Sequence, residues 1–207
     1  MFKDRQEAGQ LLAQKIKHLK GKDIVILAIP RGGVVVGKEL AKVLGCPLDI
    51  VVTKKIGAPG NPELAIGAVG PKGIKVIDEI LARKVGADKD YINERTAQLK
   101  EEIVKKEGGL RGKKPITKVL GKIVILTDDG IATGATTEAA IKFLKTKKPK
   151  EIILAVPVIA ADTLERLKLL VSEIIYLKAP FDFWAVGQFY QEFPQVEDEE
   201  VIKALKT

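Results

Sequence analysis

Short apolar runs alternate along this chain with stretches in which apolar residues return every third or fourth position, and that alternation is its main structural signal. "DIVILAIP" (23–30) is apolar almost without break, as in a strand buried on both faces, and "VVVGKELAKVLG" after it has helical spacing that ends at Gly45. "CPLDIVVTKK" reads as a second strand and "KIVILTDD" (122–129) as a third. "ATTEAAIKFLKTKK" continues as a helix with Thr136 or Thr137 near its N-terminus. "EIILAVPV" (151–158), a helix over "ADTLERLKLLV" and a strand over "EIIYLKA" (173–179) complete the series. The opening stretch carries Leu11, Leu12, Ile16 and Leu19 among charges and predicts an amphipathic helix. This rhythm predicts an α/β fold, a mostly parallel twisted sheet covered by helices on both faces.

Residues 56–121 break the rhythm. Two short apolar segments flank "GPKG", which predicts a hairpin, and "DKDYINERTAQLKEEIVKKEGG" predicts one charged helix with Ile92, Leu99 and Ile103 on roughly one side. So long an excursion is where a mobile flap is expected. The 207 residues suit one core better than two, so a single domain over 1–207 is expected. Charged residues make up 30%, and no apolar stretch approaches the about 20 residues a bilayer crossing needs. One cysteine, Cys46, and no secretory pattern at the start predict a cytoplasmic protein without disulfides.

The net charge of +8 suits either nucleic acid or a small, highly charged anion. Its lysines are scattered and only 5% of residues are aromatic, which argues against a base-stacking nucleic-acid platform and leaves most lysines as solvated surface. In a parallel α/β sheet the ligand site lies at the carboxyl ends of the strands. There the chain offers "PRGG" (30–33), "TKK" (53–55) and "DDGIATGATT" (128–137). The last puts Asp128 and Asp129 before a Gly/Thr loop that opens a helix, where amides, hydroxyls and the helix dipole suit a phosphate. Two carboxylates would repel that phosphate unless the ligand also brings a diol or a bound Mg²⁺. A phosphorylated sugar carrying a further phosphate fits all three strand ends. "GGVVVGK" (32–38) matches part of a P-loop, but Glu39 stands where a metal-binding hydroxyl belongs. One histidine, His18, and one cysteine leave no basis for a His triad or a His/Cys zinc site.

"VILTDDGIATGAT" resembles the phosphoribosyl-pyrophosphate signature of type I phosphoribosyltransferases, and the likeness extends over most of the chain. "IPRGG" sits where the family has its pyrophosphate loop, "TKKIG" where a basic residue follows the second strand, 56–115 where it has a flexible flap, and "FWAVGQFYQEF", within about 180–195, where it has a hood over the base. The resemblance implies Mg²⁺-dependent transfer of the 5-phosphoribosyl group from phosphoribosyl pyrophosphate to a nucleobase or related nitrogen nucleophile, releasing pyrophosphate. Carried over by position, Asp128 and Asp129 hold the ribose hydroxyls and the metal; Ala132, Thr133, Gly134, Ala135, Thr136 and Thr137 enclose the 5-phosphate. Arg31, Gly32 and Gly33 meet the pyrophosphate together with Lys54 or Lys55, Lys55 being preferred because "KIG" resembles the adenine-type pattern.

The chain departs from the hypoxanthine-guanine members at Ala132, where those have a third acid, and resembles the adenine and xanthine members instead. Trp184, Phe189 and Tyr190 are candidates for stacking on a base or for packing, and Glu63 is either a flap carboxylate or a solvated loop residue. A homodimer is expected from the resemblance. The alternative class is a phosphoribosyl-pyrophosphate or nucleotide sensor that binds RNA or DNA. Arg31, Lys55 and the basic residues of the flap favour catalysis over sensing, whereas the overall positive charge keeps the sensor reading open.

Overall fold

A computed structural model describes residues 1–206. The chain runs α1 (Arg5–Lys15), β1 (Ile24–Ala28), α2 (Gly32–Leu44), β2 (Leu48–Ile50), β3 (Lys54–Ala58), β4 (Asn61–Val69), β5 (Lys75–Ile77), α3 (Glu79–Lys84), α4 (Lys89–Arg111), β6 (Ile123–Thr127), α5 (Ala135–Lys145), β7 (Glu151–Val158), α6 (Ala161–Leu167), β8 (Glu173–Lys178) and α7 (Asp198–Ala204). Five strands form a wholly parallel sheet in the order β2-β1-β6-β7-β8. Helices cover both faces, as the apolar pattern predicts. Val25, Leu27, Val124, Leu126 and Leu154 pack with Ile141 and Leu164 of α5 and α6. Their neighbours Ile24, Ile26, Ile123, Ile125 and Ile153 pack with Leu12 of α1, Ile16 just after it and Leu40 of α2. Alternate residues of one strand thus face two cores, which is why these strands read as unbroken apolar runs.

Gly45 ends α2 in the left-handed conformation, with φ 66°. In α4, Ile92, Leu99 and Ile103 are all buried, on the side that meets Ile56 and Ile66.

One sequence expectation is corrected. "CPLDIVVTKK" is two strands in two sheets: parallel pairing stops after β2, and Lys54 and Lys55 begin β3 of an antiparallel sheet ordered β3-β4-β5. The strand period cannot reveal where a chain changes sheets, so the "TKK" stretch is not a carboxyl end of the parallel sheet. The stretch 56–115 holds the rest of this sheet with α3 and α4, so the expected hairpin and charged helix are both present. Small residues seat the second sheet on α5, with Ala68 and Val76 against Ala139. "GPKG" does join two antiparallel strands, β4 and β5.

Arg111, at the end of α4, staples this layer to the parallel sheet. Its Nε donates to Asp49 Oδ1 at 2.7 Å and a terminal nitrogen donates to the carbonyl of Ile50. The other Asp49 oxygen accepts from the Thr117 amide at 2.6 Å, so this buried ion pair is also saturated with hydrogen bonds. Among the described residues, no helix is long and apolar enough to cross a membrane.

Candidate active site at the strand ends

β1 and β6 are in-register neighbours, with Ala28 beside Thr127, and the Ile29 amide extends the pairing by donating to the Thr127 carbonyl at 2.9 Å. The segments leaving the two strands, 29–33 and 128–134, therefore start side by side. Glycine lets them touch. A Cβ on Gly33 would lie 2.8 Å from Asp128 Cα and 3.0 Å from the Thr127 carbonyl oxygen. A Cβ on Gly32 would lie 1.8 Å from Asp129 Oδ2. Each segment then opens a helix, α2 after Arg31 and α5 after Gly134, and neither helix start has a side-chain cap. The first-turn amides of an uncapped helix have no intrahelical acceptor and favour an anion. Two such starts thus flank the Asp128–Asp129 strand end.

The loop 128–134 is held from behind by the next strand and α6. The Ile131 amide donates to Val158 and the Ala160 amide to Ile131, both at 2.9 Å. The Thr163 hydroxyl donates to the Ala132 carbonyl at 2.6 Å, and Arg166, itself paired with Glu138, donates to the Thr133 carbonyl. Gly134 is left-handed, with φ 72°, and a Cβ there would meet Thr163 Cγ2 at 2.7 Å. Ala135 and Thr136 are half-buried and Thr133 is exposed. Thr137 is 1% exposed, and its hydroxyl finds no hydrogen-bond partner among the described residues. An orphaned hydroxyl in the first turn of an uncapped helix suits a bound oxyanion. A cavity of about 600 Å³ adjoins the loop at Thr133 and Ala135 and has Ile66 and Leu81 of the second sheet's layer in its wall.

The two carboxylates differ. Asp128 Oδ1 accepts from the Asp129 amide at 2.8 Å. Burial, then the charge of Asp129, raises its pKa well above the carboxylate range. Asp129 Oδ2 accepts from Arg5 Nε at 2.7 Å, and both side chains are nearly buried, at 14% and 10% exposure. The Asp129 carbonyl accepts from the Tyr190 hydroxyl at 2.5 Å. Burial and the neighbouring carboxylate push the Tyr190 phenol up, so it stays a donor. As a metal site the pair is sparse, because no group of three or more His, Cys, Asp or Glu occurs among the described residues. It fits a cation such as Mg²⁺, which keeps waters and takes one or two carboxylates plus substrate oxygens.

The remaining candidates disperse. Arg31 is partly exposed and only 3.6 Å and 3.8 Å from Asp198 and Glu197. Lys54 pairs with Glu102 of α4, whereas Lys55 is exposed and makes no ion pair among the described residues. Glu63 is exposed on β4.

In the 180–195 stretch, Trp184 is 88% exposed, and Phe189 lies tilted against Phe183 with ring centroids 4.9 Å apart. Tyr190 is buried, stacked on Phe193 and tilted against Phe2, so it packs and is not open for base stacking. Arg5, Thr163 and Arg166 were not legible as site residues. Each sits in a helix among charged residues, and its bond partner is 31 to 124 positions away.

Residues 3–188 match the phosphoribosyl transferase domain family. A Mycobacterium tuberculosis protein with a provisional phosphoribosyl transferase name is 38% identical over 205 residues, 99% of this chain and 46% of its own length. The chain therefore spans about half the length of that curated relative. A crystal structure of a Thermus thermophilus protein is 41% identical, covers 99% of this chain and 97% of its own, and has a TM-score of 0.82. An Aquifex aeolicus protein, 14% identical with a TM-score of 0.51 over 84% of this chain and 74% of its own, shares the fold alone.

Proposed function

The chain belongs to the phosphoribosyl transferase family, and on that premise we propose that its strand-end site binds phosphoribosyl pyrophosphate and transfers the phosphoribosyl group to a nucleobase-like nitrogen nucleophile. The observation that carries this reading is the close approach of the start of α2, at Gly32 and Gly33, to the Asp128–Asp129 strand end, whose own loop runs on into a second uncapped helix start, α5. One ligand with a phosphate, a diol and a pyrophosphate satisfies both.

In this reading the 5-phosphate lies on the first turn of α5, taking amides of Ala135, Thr136 and Thr137 and the orphaned Thr137 hydroxyl. Asp128 accepts hydrogen bonds from the ribose hydroxyls. The leaving pyrophosphate meets the first-turn amides of α2 and the Arg31 guanidinium. Arg31's present acidic neighbours are long, exposed contacts that a pyrophosphate replaces at little cost. Lys55, in no ion pair among the described residues, is the freer of the two lysines to add charge, since Lys54 is occupied by Glu102. Mg²⁺, held by Asp128 with substrate oxygens and water, would neutralise the pyrophosphate as it leaves.

Bond breaking at C1 of the ribose builds positive charge on the ring, so the chain's task is to hold the two anionic ends apart and to exclude water. The cavity beside Thr133 and the exposed Trp184 are the surfaces nearest in character to an acceptor site. The test is pyrophosphate release from phosphoribosyl pyrophosphate with Mg²⁺ across a panel of purine and pyrimidine bases. Release with at least one base is expected, and none with any base would refute the transfer reading.

A further inference from the structure

Arg5 is the most deeply engaged charge near the site, and the transfer reading gives it no task. It opens α1 behind the N-cap Asp4 and is only 8% exposed. Two of its five N–H groups donate within the protein, Nε to Asp129 Oδ2 and one on Nη1 to the Pro194 carbonyl, each at 2.7 Å. Its Cζ lies 3.6 Å from the centre of the Phe193 ring. The same two chain segments are laced together beside it. The Phe2 amide donates to the Phe189 carbonyl at 2.7 Å, the Gln191 amide to Phe2 at 2.8 Å and the Glu192 amide to Lys3 at 2.9 Å. The Tyr190 hydroxyl then closes on the Asp129 carbonyl. Asp129 is thus gripped through both its carboxylate and its backbone, while Asp128 is in no ion pair among the described residues and feels the Arg5 charge only from further off.

We propose that the adjacent carboxylates divide the work: Arg5 fixes Asp129 into a brace joining residues 2–5 to 189–194, and leaves Asp128 as the carboxylate offered to the ribose diol. Arg5 is then a positioning residue with a second, electrostatic task. It cancels the Asp129 charge, which would otherwise stand beside Asp128 and oppose the phosphates of an incoming polyanion. The inference rests on the site being a phosphoribosyl-pyrophosphate site, and its two halves are tested separately.

The full chain and the variants Asp128→Asn, Asp129→Asn, Arg5→Gln, Arg5→Gln with Asp129→Asn, and Arg5→Lys are compared by thermal unfolding and by calorimetric titration of phosphoribosyl pyrophosphate. Without ligand, Asp129→Asn and Arg5→Gln should each lower Tm, and the double variant should lower it by less than their sum. Asp128→Asn should not lower it. With ligand, Arg5→Gln should weaken binding about tenfold, the size of one uncompensated charge nearby. The double variant should regain most of that loss, and Asp128→Asn should lose more than Asp129→Asn. Arg5→Lys keeps the charge and should hold affinity near the parent value while lowering Tm, so the charge role stays testable if Arg5→Gln folds poorly.

Additive Tm losses would overturn the brace. Equal loss at Asp128 and Asp129, or no recovery in the double variant, would overturn the division of labour. No binding by the parent chain would refute the functional reading and Asp128's part in it, with the ligand-free Tm cycle still deciding the brace.

Discussion

Gly33→Ala separates two opposite expectations for a single methyl group. Gly33 lies in the first turn of α2, and replacing a helical glycine by alanine ordinarily stabilises by about 0.5–1 kcal/mol. At Gly33 the new Cβ would sit 2.8 Å from Asp128 Cα and 3.0 Å from the Thr127 carbonyl oxygen. Both neighbours are backbone and cannot rotate away, so α2 and the end of β6 must separate. Overpacking of this kind costs about 1–3 kcal/mol. The difference is a net loss of up to about 2.5 kcal/mol, and at about 2–4 °C per kcal/mol for a chain of this size Tm should fall by up to about 10 °C.

Gly109→Ala in α4 is the control, because a Cβ there meets nothing within 4 Å; it should raise Tm. Circular dichroism melts of both variants measure the contrast. Affinity for phosphoribosyl pyrophosphate should fall in Gly33→Ala alone. Equal stabilisation by both substitutions would refute the close approach of the two strand-end segments, and with it the geometry on which the functional reading rests.

Three further outcomes follow from contacts at and behind the site. Thr163→Val removes the hydroxyl bonded to the Ala132 carbonyl and should cost about 1 kcal/mol in urea unfolding while weakening phosphoribosyl-pyrophosphate binding; unchanged affinity would mean that α6 does not hold the loop. Arg111→Ala strands the buried Asp49 carboxylate and should cost about 3–5 kcal/mol by the same assay, and a loss under about 1 kcal/mol would show that the staple bears little weight. Asp128 has a folded-state pKa raised above its unfolded value, so it binds its proton more tightly when folded, and its penalty grows as pH rises from the ordinary carboxylate range through the folded pKa. Asp128→Asn should therefore raise Tm at neutral pH and lose that advantage near pH 4, the ordinary carboxylate value; a gain independent of pH would contradict this.

The parts of this molecule legible in its sequence are those set by local periodicity. The run 151–158 is β7 from end to end, Gly45 ends α2, and "TDDGIATGATT" is a strand end, loop and helix start. The rest depended on contacts between distant positions. Nothing local marks where "CPLDIVVTKK" leaves one sheet for another, since buried strands of either sheet use the same residues. Tyr190 reads equally well as a stacking or a packing aromatic, and only its contacts with Phe2, Phe193 and the Asp129 carbonyl decide. Arg5 is one charge among many near the start of the chain until the fold places it on Asp129.

The central claim is that the Asp128 strand end and the α5 start form one binding site for phosphoribosyl pyrophosphate. Calorimetric titration of that compound, with Mg²⁺, into the parent chain and Asp128→Asn tests it most directly. Saturable binding of about one ligand per chain is predicted, weakened about tenfold or more when the carboxylate that accepts from the diol is replaced. No saturable binding by the parent chain, or equal affinity in the two, would contradict the account.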